Sequence, residues 1–301
     1  MEANGSGILV GVDGSAESDA AIRWATHEAV MRRVPLTLTH VVAAVAASSP
    51  VGPILAEICA WQQDNARHVL EQALKTAQAC APDSRLPDIR TEVLGSSVVP
   101  TLVHESGEKQ IVAVGSRGTG ALGRLLLGSV STGLVHHARC PVAVIRPARG
   151  GRPDEDAPVL LGIDGSPASE AATAMAFDEA ARRGVDLVAL HAWSDVSVFP
   201  IVGRDWRAYE SQGDEVLGER LAGWQERYPE VRVHRRLVCD QPARWLIRES
   251  EHAQLVVVGV RGRGGFASPW LGSVSSAVAQ SADTPVLVVR ATPPASRGAG
   301  R

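Results

Sequence analysis

"ILVGVDGSAESDAAIRWATHEAVMRRVPLTLTH", residues 8–40, aligns without a gap on "VLLGIDGSPASEAATAMAFDEAARRGVDLVALH", residues 159–191. In each stretch an apolar run ends in Asp-Gly-Ser, a helical segment follows, and a second apolar run closes on a histidine, His40 or His191. The self-similarity continues downstream, where "VAVGSRGTGALGRLLLGSVS" (112–131) matches "VVVGVRGRGGFASPWLGSVS" (256–275). The offset is 151 in the upstream blocks and 144 downstream, so the second half is seven residues shorter between them. The chain is a duplicated domain. Its joint, "RPARGGRPDEDAP" (146–158), has the Pro, Gly and mixed charge of an exposed linker. The expected organisation is a first domain over 1–147, a linker over 148–157, a second domain over 158–292 and a flexible tail over 293–301.

Within each half, short apolar runs alternate with longer helical ones. Strands are expected at 8–13, 36–42, 89–94, 110–115 and 141–146, then at 159–164, 186–191, 231–238, 254–259 and 285–290. Helices are expected at 17–33, 56–80, 98–107 and 129–138, with counterparts at 168–183, 209–227, 242–252 and 274–282. Strict alternation implies an α/β fold, a parallel sheet covered on both faces. A chain of 301 residues suits two such domains, and a formal charge of −3 gives no reason to expect nucleic acid as a partner. "MEANGSGILV" carries no basic residue ahead of an apolar stretch, and "VVAAVAASSPVGPILAEICAW" is interrupted by Ser, Pro, Gly and Glu. A cytoplasmic protein without membrane insertion is expected. Cys59, Cys80, Cys140 and Cys239 show no metal-ligand or disulfide spacing and read as buried or idle thiols.

In an open parallel sheet, ligands bind beyond the carboxyl ends of the strands, where strand order reverses. Asp13 and Asp164 end the first strand of each half, and glycine loops follow the fourth. The loops share one spacing: Gly115-x2-Gly118-x9-Gly128-Ser129 and Gly259-x2-Gly262-x9-Gly272-Ser273. Glycines let backbone N–H groups approach an anion, and the next helix begins at the serine, where amides and dipole favour phosphate. This pattern reads as a phosphate cradle. It is not a Walker A loop, since Lys75 and Lys109 are the sole lysines and neither lies in a loop of this kind, which leaves Arg117 and Arg261 as the cations. Taken alone, a glycine loop is a tight turn, Asp-Gly-Ser a helix cap, and Ser129 or Ser273 an N-cap. Repetition of both motifs in both halves favours binding. His40 and His191 stand open between structural and site-lining roles; Trp24, Trp61, Trp193, Trp206, Trp224, Trp245 and Trp270 read as packing residues.

The spacing Gly-x2-Gly-x9-Gly-Ser, with "VGVDGS" or "LGIDGS" upstream, resembles the ATP-binding universal stress proteins, and nearly the whole chain resembles their tandem, actinobacterial form. The resemblance implies two Rossmann-like (adenine nucleotide α-hydrolase-like) domains, each a five-stranded parallel sheet of order 3-2-1-4-5 with helices on both faces. It also implies ATP, with Mg²⁺, in each half. Carried over by motif, Asp13 and Asp164 contact the adenosine, and the backbone at Val41 and Ala192 reads the adenine edge. Gly115, Gly118, Gly128 and Ser129 hold phosphates, as do Gly259, Gly262, Gly272 and Ser273, with Ser131 and Ser275 assisting. Gly11 and Gly162 on the aspartate side, Ser116, Arg117, Thr119, Gly120 and Val130 in the first loop, and Val260, Arg261, Arg263, Gly264 and Val274 in the second complete the lining.

The function that the resemblance implies is an ATP-binding regulator of stress response, growth or dormancy, in which nucleotide occupancy alters surface loops or assembly, as in a homodimer, and so affects a regulatory protein partner. The competing class is an ATP hydrolase or nucleotidyl transferase on the same fold; a flavin module is weaker, as no G-x-G-x-x-G follows the first strand. No catalytic residue or metal ligand is assigned, and slow ATP hydrolysis is left open. The fifth strands, "PVAVIR" (141–146) and "PVLVVR" (285–290), would lie at sheet edges and are expected to pair antiparallel with each other.

Overall fold

Asp-Gly-Ser fixes where the first helix of each half begins. Gly14 and Gly165 sit at φ 80° and 75°, a region that side chains disfavour, and so reverse the chain directly after the aspartate. Ser15 and Ser166 then cap the helix, their hydroxyls accepting the amides of Ser18 (3.1 Å) and Ser169 (3.2 Å). The computed structural model describes residues 7–43, 52–80, 85–119, 127–147, 154–192, 206–262 and 272–291. Its first half runs β1 (Ile8–Gly11), α1 (Ala16–Arg32), β2 (Leu36–Val42), α2 (Gly52–Gln78), β3 (Ile89–Gly95), α3 (Val98–Glu105), β4 (Ile111–Gly115), α4 (Ser129–His137) and β5 (Val142–Ile145). The second repeats it: β6 (Val159–Gly162), α5 (Pro167–Arg183), β7 (Leu187–Ala192), α6 (Trp206–Arg227), β8 (Val233–Val238), α7 (Pro242–Ser250), β9 (Leu255–Gly259), α8 (Ser273–Ser281) and β10 (Val286–Val289). The connection from α6 to β8 is five residues shorter than that from α2 to β3, which accounts for most of the second half's missing residues. The expected strand over 8–13 stops at Gly11 because Asp13 bonds forward to Ser15 instead of extending the ladder.

One ten-stranded sheet has the order β3-β2-β1-β4-β5-β10-β9-β6-β7-β8. Pairing is parallel within each half, and the two halves meet at β5 and β10, antiparallel, with Val144 opposite Val286 and Val142 opposite Val288. Each half is thus a Rossmann-like sheet of order 3-2-1-4-5, and each fifth-strand edge is covered by the other. Successive strand residues face opposite layers. Ile8 and Val10 pack with Ile22 of α1 and Leu70 of α2, whereas Leu9 packs with Leu102 of α3 and Leu134 of α4. Ile8, Leu9 and Leu36 are wholly buried, each contributing roughly 1.5–3 kcal/mol. Trp24 and Trp224 pack on the first layer and Trp245 on the second. Trp61 departs from the packing expectation: on α2 it is 67% exposed, because its position faces away from the sheet. Trp193, the Trp206 side chain and Trp270 lie outside the described residues.

Two further sets of contacts join the halves, each placing equivalent residues on both sides. Arg146 donates to the carbonyls of Ala279, Gln280 and Ala282 at the end of α8, and Arg290 to those of Val135 and His136 at the end of α4. A cation at a helix C-terminus is favoured by the dipole. Across the other layer, Glu28 and Arg32 of α1 meet Glu179 and Arg183 of α5 in a closed ring: Arg32 pairs with both glutamates, and Arg183 reaches Glu28 at 2.7 Å and Glu179 at 3.0 Å. Both glutamates are fully buried.

Candidate functional site

The β1 and β4 ends lie side by side, and their loops meet over the crevice at the strand-order reversal. Asp13 spans it. Its Oδ1 accepts the Ser15 amide (3.0 Å) and hydroxyl (2.6 Å), while Oδ2 accepts the Thr119 amide (3.0 Å) from the glycine loop. A Cβ at Gly118 would stand 2.3 Å from that Oδ2, and one at Gly262 would stand 2.5 Å from Oδ2 of Asp164. These glycines are therefore required first by the aspartate, and no positive φ is involved. Asp164 accepts the Ser166 amide at 2.9 Å, and the Ser166 hydroxyl donates to the Arg261 carbonyl at 3.2 Å.

Gly115 and Gly259 serve a second close approach. A Cβ at Gly115 would stand 2.7 Å from Glu17 Cβ, and one at Gly259 would stand 2.8 Å from the Ala168 carbonyl, so the first turn of α1 or α5 closes on the end of β4 or β9. Gly128 and Gly272, not the serines after them, are the N-caps; Ser129 and Ser273 occupy the first helical position. The reason is extended backbone at the glycines, whose amides donate back to the Ser116 carbonyl (2.8 Å) and the Val260 carbonyl (2.9 Å). Helix geometry then leaves the amides of Ser129, Val130 and Ser131, and of Ser273, Val274 and Ser275, without intrahelical acceptors. The hydroxyls of Ser131 and Ser275 tie the helix to the strand end, donating to Ser116 O (2.9 Å) and Gly259 O (2.6 Å). Val130 and Val274 pack into the core layer.

Gly11 and Gly162 face inward, against Val114 and Leu102 and against Val258 and Leu246. Val41 is the next-to-last residue of β2 and Ala192 the last of β7, at the rim beside the aspartate turn. Their neighbours anchor that rim: His40 Nδ1 lies 2.8 Å from the Val12 carbonyl and His191 Nδ1 2.7 Å from that of Ile163. Arg117 is paired with Glu17 at 3.0 Å. The Ser116 hydroxyl is buried and, among the described residues, unpartnered, a feature that calls for a ligand or water. Gly120, Arg263 and Gly264 lie outside the described residues. Two residues the motifs did not flag join the rim, Glu17 and, over Gly165, Arg220. The repeat alignment carries their signal, because their counterparts are Ala168 and Val69.

The Universal stress protein family model matches residues 7–146 and again 157–290. The chain belongs to the universal stress protein family. A universal stress protein of Mycolicibacterium smegmatis is 57% identical over 284 residues, covering 94% of this chain and 97% of the relative. One from Mycobacterium tuberculosis is 52% identical over 285 residues, covering 94% and 97%. The crystal structure of a universal stress protein from Archaeoglobus fulgidus superposes with a TM-score of 0.69 at 21% identity, over 95% of this chain and 98% of that one, which supports the fold. This chain matches 97% of the length of both curated relatives. Among the described residues, no helix is long and apolar enough to cross a membrane.

Proposed function

We propose that this universal stress protein is an ATP-binding regulator in the cytoplasm, with one nucleotide site in each half. The observation that carries the reading is the aspartate held across the β1–β4 crevice against a glycine loop, built twice. The carboxylate offers an acceptor for the adenosine, and the loop and helix amides offer donors for phosphates. The buried Ser116 hydroxyl is a further donor in the first half. Among the described residues no three His, Cys, Asp or Glu side chains converge, so Mg²⁺ would be held mainly by the phosphates. Occupancy would act on a regulatory partner or on assembly as a homodimer. Mass spectrometry of small molecules released from freshly purified protein should give ATP or ADP near two equivalents. With Mg²⁺, consumption of ATP should fall far below the roughly 1–10³ s⁻¹ of enzymes. Robust phosphate release would favour the hydrolase reading.

A further inference from the structure

The repeat does not copy its charges. Glu17 lies against Gly115 and pairs with Arg117 at 3.0 Å. Its counterpart is Ala168, so Arg261, the counterpart of Arg117, lacks that carboxylate. On the other flank of the turn, a Cβ at Gly14 would meet a Val69 methyl at 3.5 Å, whereas at Gly165 the Arg220 guanidinium covers the position, its Nη1 1.3 Å from where a Cβ would stand. Val69 and Arg220 are themselves counterparts. The first rim thus carries Asp13, Glu17 and Arg117, one negative charge in excess; the second carries Asp164, Arg261 and Arg220, one positive charge in excess. In sequence, the remaining stretches of the two glycine loops hold one arginine each, Arg124 and Arg263, so the count of charges does not separate them there. Burial, then the Arg261 charge, lowers the pKa of Arg290 from its ordinary value, consistent with surplus positive charge at the second site.

We infer that the two slots select different ionic forms of the nucleotide: the second takes the fully charged polyphosphate, and the first takes a nucleotide whose charge is reduced, by Mg²⁺ or by fewer phosphates. This deepens, and rests on, the nucleotide reading above. Two rim charges acting on two extra phosphate charges about 8 Å away in water, after salt screening, give about a fourfold difference in selectivity. One protein would then report separately the fully charged polyphosphate and the Mg²⁺-bound or dephosphorylated nucleotide.

The test is photolabelling of the full chain with 8-azido-ATP, competed by ATP, ADP or AMP with and without Mg²⁺, with labelled peptides assigned to each half by mass spectrometry. In the second half, Mg²⁺-free ATP should compete better relative to AMP by about fourfold more than in the first, and added salt should weaken it more. Glu17→Gln should raise the ATP-to-AMP preference of the first half, and Arg220→Gln should lower that of the second. Equal preferences in both halves, preferences unmoved by the two variants, or saturable label in one half alone would overturn the inference and leave the nucleotide reading standing. No saturable label in either half would overturn the nucleotide reading itself.

Discussion

A methyl group at Gly118 would collide with the carboxylate that spans the crevice, at 2.3 Å from Asp13 Oδ2. Gly118→Ala should therefore displace Asp13 and weaken ATP binding in the first half by about tenfold or more, the loss of one charge-assisted hydrogen bond of ~1.5–3 kcal/mol. The loop lies above the strand ends, so folding should be little affected. Gly262→Ala should act likewise through Asp164, and Asp13→Ala and Asp164→Ala should reproduce the losses with no steric change. Titration calorimetry beside thermal melts separates the cases; unchanged affinity in both glycine variants would remove the cradle from the account. The glycine spacing was legible in the sequence, but its first reason was not. Spacing suggests room for an anion, whereas the atom nearest the bare glycine is a carboxylate oxygen from residues far away in the chain. Ser131 shows the same gap: its place in the motif suggests a phosphate contact, and its hydroxyl is committed to Ser116 O.

At the scale of elements, α1 and α5 carry the decisive contact between the halves. Arg32→Met, similar in length and uncharged, would leave Glu28 and Glu179 buried beside a single guanidinium, at a cost of roughly 3–5 kcal/mol. A chemical-denaturation midpoint close to wild type would show that the ring is idle. The same ring sets a pH dependence. Burial, and then the Glu179 charge, raises the Glu28 carboxyl from 4.5 to about 7. An acid with a raised folded-state pKa contributes stability that is complete below its unfolded value and is lost as pH climbs through the folded one. Any advantage of wild type over Glu28→Gln should thus shrink from about pH 5 to about pH 8; an advantage that grew would mean that the arginines hold Glu28 ionised. Strands and helices were readable because apolar runs and helical segments alternate in two copies. The ring was not. Glu28-x3-Arg32 and Glu179-x3-Arg183 each read as an ordinary exposed i,i+4 pair, and only the meeting of the halves buries them. Trp61 is the converse, an aromatic whose composition suggests packing and whose helix face does not supply it.

The whole molecule is two copies of one surface turned toward each other. β5 pairs with β10, Glu28 and Arg32 answer Glu179 and Arg183, and Arg146 and Arg290 each cap the other half's helix. Each of these paired groups has an equivalent opposite it, so this part of one half's surface is complementary to a second copy of itself. A chain limited to residues 1–150 would expose the β5 edge and strand Glu28 and Arg32 without their ring. Two such chains would restore all three contacts, with Arg32 of one meeting Glu28 of the other. The isolated half is therefore expected to be a homodimer by light scattering across a dilution series. Arg32→Glu in that half would set four carboxylates in the buried ring and should yield monomer or aggregate. In the intact chain, where the linker keeps the partner at high local concentration, the same substitution should lower stability and leave the halves together. A first half that stays monomeric and folded at high concentration would show that the β5 edge tolerates exposure, and that the linker, more than the surface, holds the tandem closed.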